Sequence, residues 1–283
     1  MSIITSVHSF LAEIKESTKL TCDVDEILFF RGLSQYKYDL KPTIFRDSRK
    51  DAECTAYREL MMEYPEKFVR GEHLSNLVKM QHYGSRTRLL DLSRNPLISL
   101  YFACEQEGKE NGKVVCFKVK KSDVLHHNSD KALMLACIPA FSDADIADIA
   151  EFCKNHTDVI DEKMMSNSPV MRRFLHEIKS ELPAFESVIV GEDLFKNYFV
   201  ATYKDNQRMK VQDGAFVICG IHKDVSDLER IAVNIEIDAD SKKDILKDLK
   251  MLGIANNTIY PDFERTAMAI ASDRKVNWVN IYD

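Results

Sequence analysis

The chain has 283 residues, 45% of them hydrophobic and 30% charged, with a formal net charge of −6. That length suits one large domain or two modest ones around a substantial core, and the composition is that of an ordinary soluble globular protein. The negative balance gives no overall pull toward nucleic acid, leaving at most a local basic patch such as Arg86, Arg88 and Arg94.

No apolar run approaches the roughly 20 residues that a membrane helix needs. The opening MSIITSVHSFLAEIKEST lacks the basic start and apolar block of a signal peptide, so the expected location is cytoplasmic, with no membrane partner. Val7, Phe10, Leu11 and Ile14 fall at helical spacing and predict an amphipathic helix over residues 5–17. Residues 27–31 read as a strand closed by Gly32. Lys41, Pro42 and Thr43 mark an extended connection before a long helix around 51–69, and a helix near 73–81 leads into His82, Tyr83 and Gly84. Asn95 and Pro96 have the character of an N-cap and a first helical residue, ahead of an apolar helix through Leu97, Leu100, Tyr101 and Phe102. Gly112 opens a strand over 113–119.

Residues of about 123–195 contain helices near 142–154 and 169–181, and read as a helical insertion or subdomain within a single domain spanning 1–283. Strands are expected at about 198–204, 214–220 and 231–237. Ser241 predicts an N-capped helix ending at Gly253. Tyr260, Pro261 and Asp262 open another helix to about 271, and residues 276–282 form a possible last strand. Helices and strands interleave without a βαβ rhythm, which favours an α+β fold. Seven cysteines (22, 54, 104, 116, 137, 153 and 219) show no CxxC pair, an arrangement that argues against a disulfide framework and against a zinc site. They read as small buried apolar residues, and no metal is expected.

Chemistry concentrates in residues 81–103, QHYGSRTRLLDLSRNPLISLYFA. Arg31, at the end of its apolar strand, can fork onto a carboxylate or phosphate, or pair structurally with an acid such as Asp91. His82 can donate to a ribose hydroxyl and Tyr83 can stack on a planar ring; alternatively the histidine caps a helix end and the tyrosine packs in the core. Thr87, Arg88, Asp91 and Ser93 can form a buried polar network, with Arg88 and Asp91 structural and Thr87 and Ser93 nearer a ligand. Gln212 offers an amide ahead of strand residues Phe216 and Val217, while Asp213-Gly214 is a turn signal. No GxGxxG after a strand, Walker A, GxSxG or HExxH pattern occurs. His126 and His127 read as an exposed turn, not a metal site, and Cys219 with His222 is unsupported as a nucleophile pair.

The segments FFRGLSQYKYDLKPTIFR (29–46), LVKMQHYGSRTRLLDLSRNPLISLYFA (77–103) and NQRMKVQDGAFVI (206–218) resemble the FRG domain family, and GIANNTIYPDFERTAMAI (253–270) resembles its closing segment. Members are bacterial and phage-related and recur among toxin and anti-phage proteins. A more distant resemblance is to Arg-Ser-Glu-class ADP-ribosyltransferases. It implies a mixed or antiparallel central sheet flanked by helices, with NAD as substrate and no metal. ADP-ribose would pass to a macromolecular acceptor, nucleic acid or protein, and an antitoxin or chaperone would be a possible partner. By that resemblance Arg31 would grip the pyrophosphate, and Gly32, Tyr83, Thr87, Ser93 and Phe216 would line the NAD site. His82 and Tyr83 would position the nucleoside, and Gln212 would orient acceptor or ribose. The third motif departs from the pattern: Arg208 stands where a catalytic glutamate is expected, flanked by Gln207 and followed by Gln212. Either Asp91 or Asp213 takes that role, or the alignment of this loop is off by a few residues, or the chain does not catalyse the reaction. The alternative is a nucleotide-binding sensor or partner-binding module without turnover.

Overall fold

The computed structural model describes residues 3–261, apart from 107, 157, 202 and 204–206. The expected helix to about 271 and strand at 276–282 lie outside the described residues, as does Asn206 at the start of the third motif. Helix α1 (Val7–Glu16) begins at a reciprocal cap, in which Ser6 Oγ accepts from the Ser9 amide at 3.1 Å and Ser9 Oγ accepts from the Ser6 amide at 3.1 Å. Strand β1 (Glu26–Leu33) follows, then α2 (Ala52–Glu63) and α3 (His73–His82). Helix α2 is shorter than expected because Pro65 disfavours helical backbone at Tyr64.

Strand β2 (Leu89–Ser93) precedes α4 (Pro96–Cys104), whose N-cap Asn95 accepts from the Leu97 amide at 3.0 Å as its sequence suggests. Strand β3 (Gly112–Lys120) leads to β4 (Val124–His126), α5 (Asp130–Ala136), α6 (Asp143–Asn155), β5 (Val159–Ile160), α7 (Glu162–Ser166), α8 (Pro169–Glu181) and β6 (Ile189–Val190). His126 thus ends a strand, paired with Ala201, and is not a turn residue. The remainder comprises β7 (Tyr198–Ala201), α9 (Gln207–Val211), β8 (Gly214–Ile218), α10 (Ser226–Ile231), β9 (Ala232–Ile237), α11 (Lys242–Met251) and α12 (Asn256–Ile259). At α11 the expected serine cap is replaced. Ser241 has helical backbone angles and makes no side-chain cap, because its hydroxyl donates to Asp238 Oδ2 at 2.7 Å. Gly253 ends that helix at a φ of 80°, a conformation open to glycine.

Among the described residues seven strands form one mixed sheet in the order β4-β7-β8-β2-β1-β3-β9, antiparallel throughout except for the β4–β7 pair. The fold is α+β, with helices against the sheet. Alternation along β1 sends Phe30 into a core with α1, α4 and α11, through Phe10, Leu100 and Leu249. Phe29 turns to the other face, with Leu92, Phe117 and Val217. The segment between β4 and β7 gathers around its own apolar cluster, with Ile138, Phe141, Ile149, Phe174 and Ile178 all essentially without solvent exposure. No helix among the described residues is long and apolar enough to cross a membrane.

Strand β2 is anchored at its start by a buried ion pair. Arg88 donates through Nε (3.0 Å) and Nη2 (2.6 Å) to the two carboxylate oxygens of Glu53 on α2, and through Nη1 to the Cys219 carbonyl at 3.3 Å. The expected association of Arg88 with Asp91 is therefore corrected: Glu53, far away in sequence, takes both forks of the guanidinium. Both side chains are almost wholly buried, so losing one partner strands the other charge. Glu53→Ala is expected to destabilise the protein by about 3–5 kcal/mol, read as a lowered urea midpoint; a change within about 0.5 kcal/mol, typical of surface positions, would contradict this.

Candidate functional site

Strands β1 and β2 are neighbours in the sheet but share only one registered pair, Phe30↔Ser93. On their outer sides both are fully zipped, β1 to β3 from Glu26↔Lys120 to Leu33↔Lys113 and β2 to β8 from Leu89↔Ile218 to Ser93↔Gly214. The seam between them opens into a cavity of ≈ 270 Å³. Strand β1 supplies Arg31 and Gly32, β2 supplies Asp91 and Ser93, and α4 with its cap supplies Ser99, Phe102 and Glu105. Arg208 and Gln212, from α9 and the turn after it, complete the wall.

Arg31 bridges the seam. Its Nη1 donates to the Asp91 carbonyl oxygen at 2.7 Å and lies 4.0 Å from Asp91 Oδ2. The ion pair expected from sequence is thus present, but the short contact is to the backbone. Burial pulls the guanidinium below its ordinary value, Asp91 opposes this, and Arg46 adds to it; an arginine stays charged at physiological pH nonetheless. Its Nε is buried without a hydrogen-bond partner, and so is Ser99 Oγ in the same wall. Buried polar groups are nearly always paired, so both groups are available to an acceptor that enters the cavity.

Ser93 Oγ donates to the Gln212 carbonyl at 2.6 Å and accepts from the Asn95 amide at 3.0 Å, which ties β2 to the α9 turn and to the cap of α4. Gln212 Nε2 reaches the Ile259 carbonyl at 3.2 Å. The Arg208 guanidinium sits 5.0 Å from the Tyr260 ring centroid and donates to the His82 carbonyl at 3.3 Å. The Tyr260 hydroxyl donates to Glu105 Oε2 at 3.0 Å. Two cations, Arg31 and Arg208, therefore face two acids, Asp91 and Glu105, around one space.

The structure brings Arg31, Gly32, Ser93 and Gln212 together, with Asp91 beside them. It does not bring His82, Tyr83, Thr87 or Phe216 to the cavity wall. Tyr83 is 66% exposed, edge-on to His82, with Lys67 Nζ 5.1 Å from its ring centroid. His82 contributes its backbone carbonyl to Arg208. Thr87 lies behind the wall, where its hydroxyl donates to Gln81 Oε1 and accepts from the Leu89 amide. Gln81 Nε2, itself half-buried, in turn donates to the exposed Asp91 Oδ2 at 2.9 Å, so Thr87 and Gln81 orient the acid. Phe216 packs in the core with Leu77 and Met80. Asp213 takes the turn role, with a φ of 44° and its carboxylate on Arg94 at 2.6 Å, and is not part of the wall. Cys219 is fully buried, which pushes its thiol well above the ordinary value, and His222 stacks on Phe195; neither is set up for nucleophilic work. Glu105 and Ser99 were not singled out in sequence. The signal available was an acid immediately after the apolar helix that follows the Ser93 motif.

An α+β protein with a polar cavity at a seam in its central sheet is the class defined by this geometry. Residues 26–112 match the family model of the FRG domain. That segment contains Arg31, Gly32, Asp91, Ser93, Ser99 and Glu105, whereas Arg208 and Gln212 come from outside it. No curated protein and no solved structure matches the chain.

Gly32 is demanded by packing. A Cβ there would lie 1.9 Å from the Ser99 carbonyl oxygen and 2.7 Å from the Ala103 amide nitrogen, both backbone atoms of α4. Gly32→Ala is therefore expected to cost about 3 kcal/mol, the upper end for overpacking, because β1 must lift from α4. The check is a lowered denaturation midpoint with unchanged denaturant slope; wild-type stability would show that β1 does not ride so closely on α4.

Proposed function

We propose that the cavity binds NAD and that the protein transfers ADP-ribose from it to a macromolecular acceptor. The supporting observation is the convergence of Arg31, Ser93 and Gln212, remote in sequence, on a cavity with two unpaired buried donors. Leaving such donors unmatched costs about 1–3 kcal/mol each, and phosphate oxygens of a pyrophosphate would satisfy them. At ≈ 270 Å³ the cavity accommodates part of a dinucleotide and not the whole.

In the transfer, the glycosidic bond between ribose and nicotinamide breaks and its electron pair leaves on neutral nicotinamide. The sugar carbon becomes oxocarbenium-like, a nucleophilic oxygen or nitrogen of the acceptor bonds to it, and the acceptor loses a proton to a base. A carboxylate stabilises that developing positive charge. Arg208 cannot do so, but Glu105 lies in the same wall and is our candidate for the role, with Asp91 as the second acid. Such a protein would act in the cytoplasm, as a toxin or anti-phage effector held in check by an antitoxin or chaperone.

Arg208 also favours a second reading. Two arginines on one cavity suit a bound anion better than a cationic transition state, and a nucleotide-binding sensor would need nothing more. Labelled NAD incubated with cell lysate, divided into protein, RNA and DNA fractions, separates the readings. Transfer is expected to one fraction with the wild type. Glu105→Gln should lose transfer and keep NAD binding, while Arg31→Ala should weaken binding at least about tenfold through loss of a charged hydrogen-bond partner. Binding without transfer would select the sensor; neither binding nor transfer would overturn both.

A further inference from the structure

We infer that the protein holds a divalent metal ion of the zinc class at His73, Cys137 and Glu181, where α3 meets α5 and α8. The candidate ligand atoms of these three residues all lie within 4.8 Å of one another, with His73 and Cys137 buried and Glu181 half-buried. They share no residue with the cavity at the β1–β2 seam.

The second, independent observation is the state of the imidazole. His73 is 4% exposed, and its Nδ1 hydrogen-bonds to the Tyr57 hydroxyl at 2.8 Å. Its Nε2 is buried and has no hydrogen-bond partner. One ring nitrogen is thus engaged by an orienting group, while the other faces the Glu177 carboxylate in an ionic contact and not a well-aligned hydrogen bond, an arrangement that a metal ion seated at that nitrogen would fit. Glu177 Oε2 lies 3.3 Å from that Nε2, so an ion bound there would come between the two groups or displace that carboxylate. Glu181 is held in position by the His73 backbone amide, which donates to its Oε2 at 2.9 Å.

The ligand chemistry selects the ion. A thiol, an imidazole and carboxylates together match zinc; calcium and magnesium prefer oxygen alone. Binding releases the Cys137 proton, since the thiolate is the ligand. His73 and Glu177 also line a second cavity of ≈ 1060 Å³, together with Tyr57, Arg58 and Arg70, so the imidazole side of the cluster borders open space. The ligands come from the start of α3, the end of α5 and the last turns of α8, so the ion ties the segment between β4 and β7 to the helix that supports β2. Histidine and glutamate stand 108 positions apart, which is why no spacing motif announces the site.

The test is metal analysis of the purified full chain after incubation with excess Zn²⁺ and dialysis, joined to the absorption spectrum of the Co²⁺-loaded protein. About one equivalent of zinc per chain is expected, with a chelator-sensitive melting temperature and a thiolate-to-cobalt charge-transfer band. Cys137→Ser should abolish that band, Glu181→Gln should weaken Zn²⁺ binding at least about tenfold, and Cys153→Ser, at a buried cysteine outside the cluster, should leave both unchanged. Wild-type protein without stoichiometric zinc and without the band overturns the assignment, independently of whether any variant folds. Retention of zinc undiminished in both ligand variants overturns it as well.

Discussion

The centre of the sheet is held together across a seam that backbone hydrogen bonds do not close. With β1 and β2 registered only at Phe30↔Ser93, other groups must fix their separation. Helix α4 does so from one side, with its Ser99 carbonyl pressed against Gly32. Arg88 and Glu53 fix the start of β2, and Ser93 on Gln212 fixes its end. Within the seam Arg31 replaces ladder hydrogen bonds with a guanidinium on the Asp91 carbonyl. A side chain spanning a gap leaves space that a ladder would not, and the cavity is that space.

Much of this frame could be read from the chain, for reasons that differ by element. Asn95-Pro96 predicts α4 because capping is local: a side-chain oxygen and a proline ring suffice to start a helix. Arg31-Gly32, Ser93 and Gln212 stood out as polar chemistry at strand ends, and they meet. Strand β2 escaped detection because five residues, LLDLS, with Leu89, Leu90 and Leu92 buried around an exposed Asp91, are too few to establish a period. Glu105 was invisible because an acid after a helix is ordinary; only the Tyr260 hydroxyl and the cavity distinguish it. The partner of Arg88 was misassigned for a related reason. Asp91 is near in sequence, yet its position on β2 turns it toward Gln81 and the seam, while α2 brings Glu53 to the guanidinium. His82 and Tyr83 were drawn to the site by proximity to Gly84, but helix α3 ends with the tyrosine in solvent.

The sign of charge at the seam bears on what can happen there. In a protein with net charge −6, the wall balances two arginines against two acids, and Asp91 is already committed through Gln81 and the neighbourhood of Arg31. Glu105 is differently placed: it follows the last turn of α4 and takes a hydroxyl from Tyr260, with no ion pair to its carboxylate among the described residues. A carboxylate bound by a neutral donor keeps its charge available to a developing cation, whereas one neutralised by arginine does not. That asymmetry is why the acid of the seam is assigned to the end of α4 and not to the third motif.

Helix α3 connects the two sites. At its first residue stands His73, with Nδ1 on the Tyr57 hydroxyl and Nε2 facing the Glu177 carboxylate. At its last two residues Gln81 holds the Asp91 carboxylate and the His82 carbonyl receives Arg208. Ten residues of α-helix measure about 15 Å and bend little over that length. Its apolar face, through Leu74, Leu77 and Met80, packs in the same core as Leu89 of β2. One stiff element with no turn in between therefore carries His73 at its start and, at its end, the groups that orient Asp91 and Arg208. Glu181, at the end of the segment between β4 and β7, accepts from the His73 amide at one end of this helix, and the groups beside the cavity wall are held at the other.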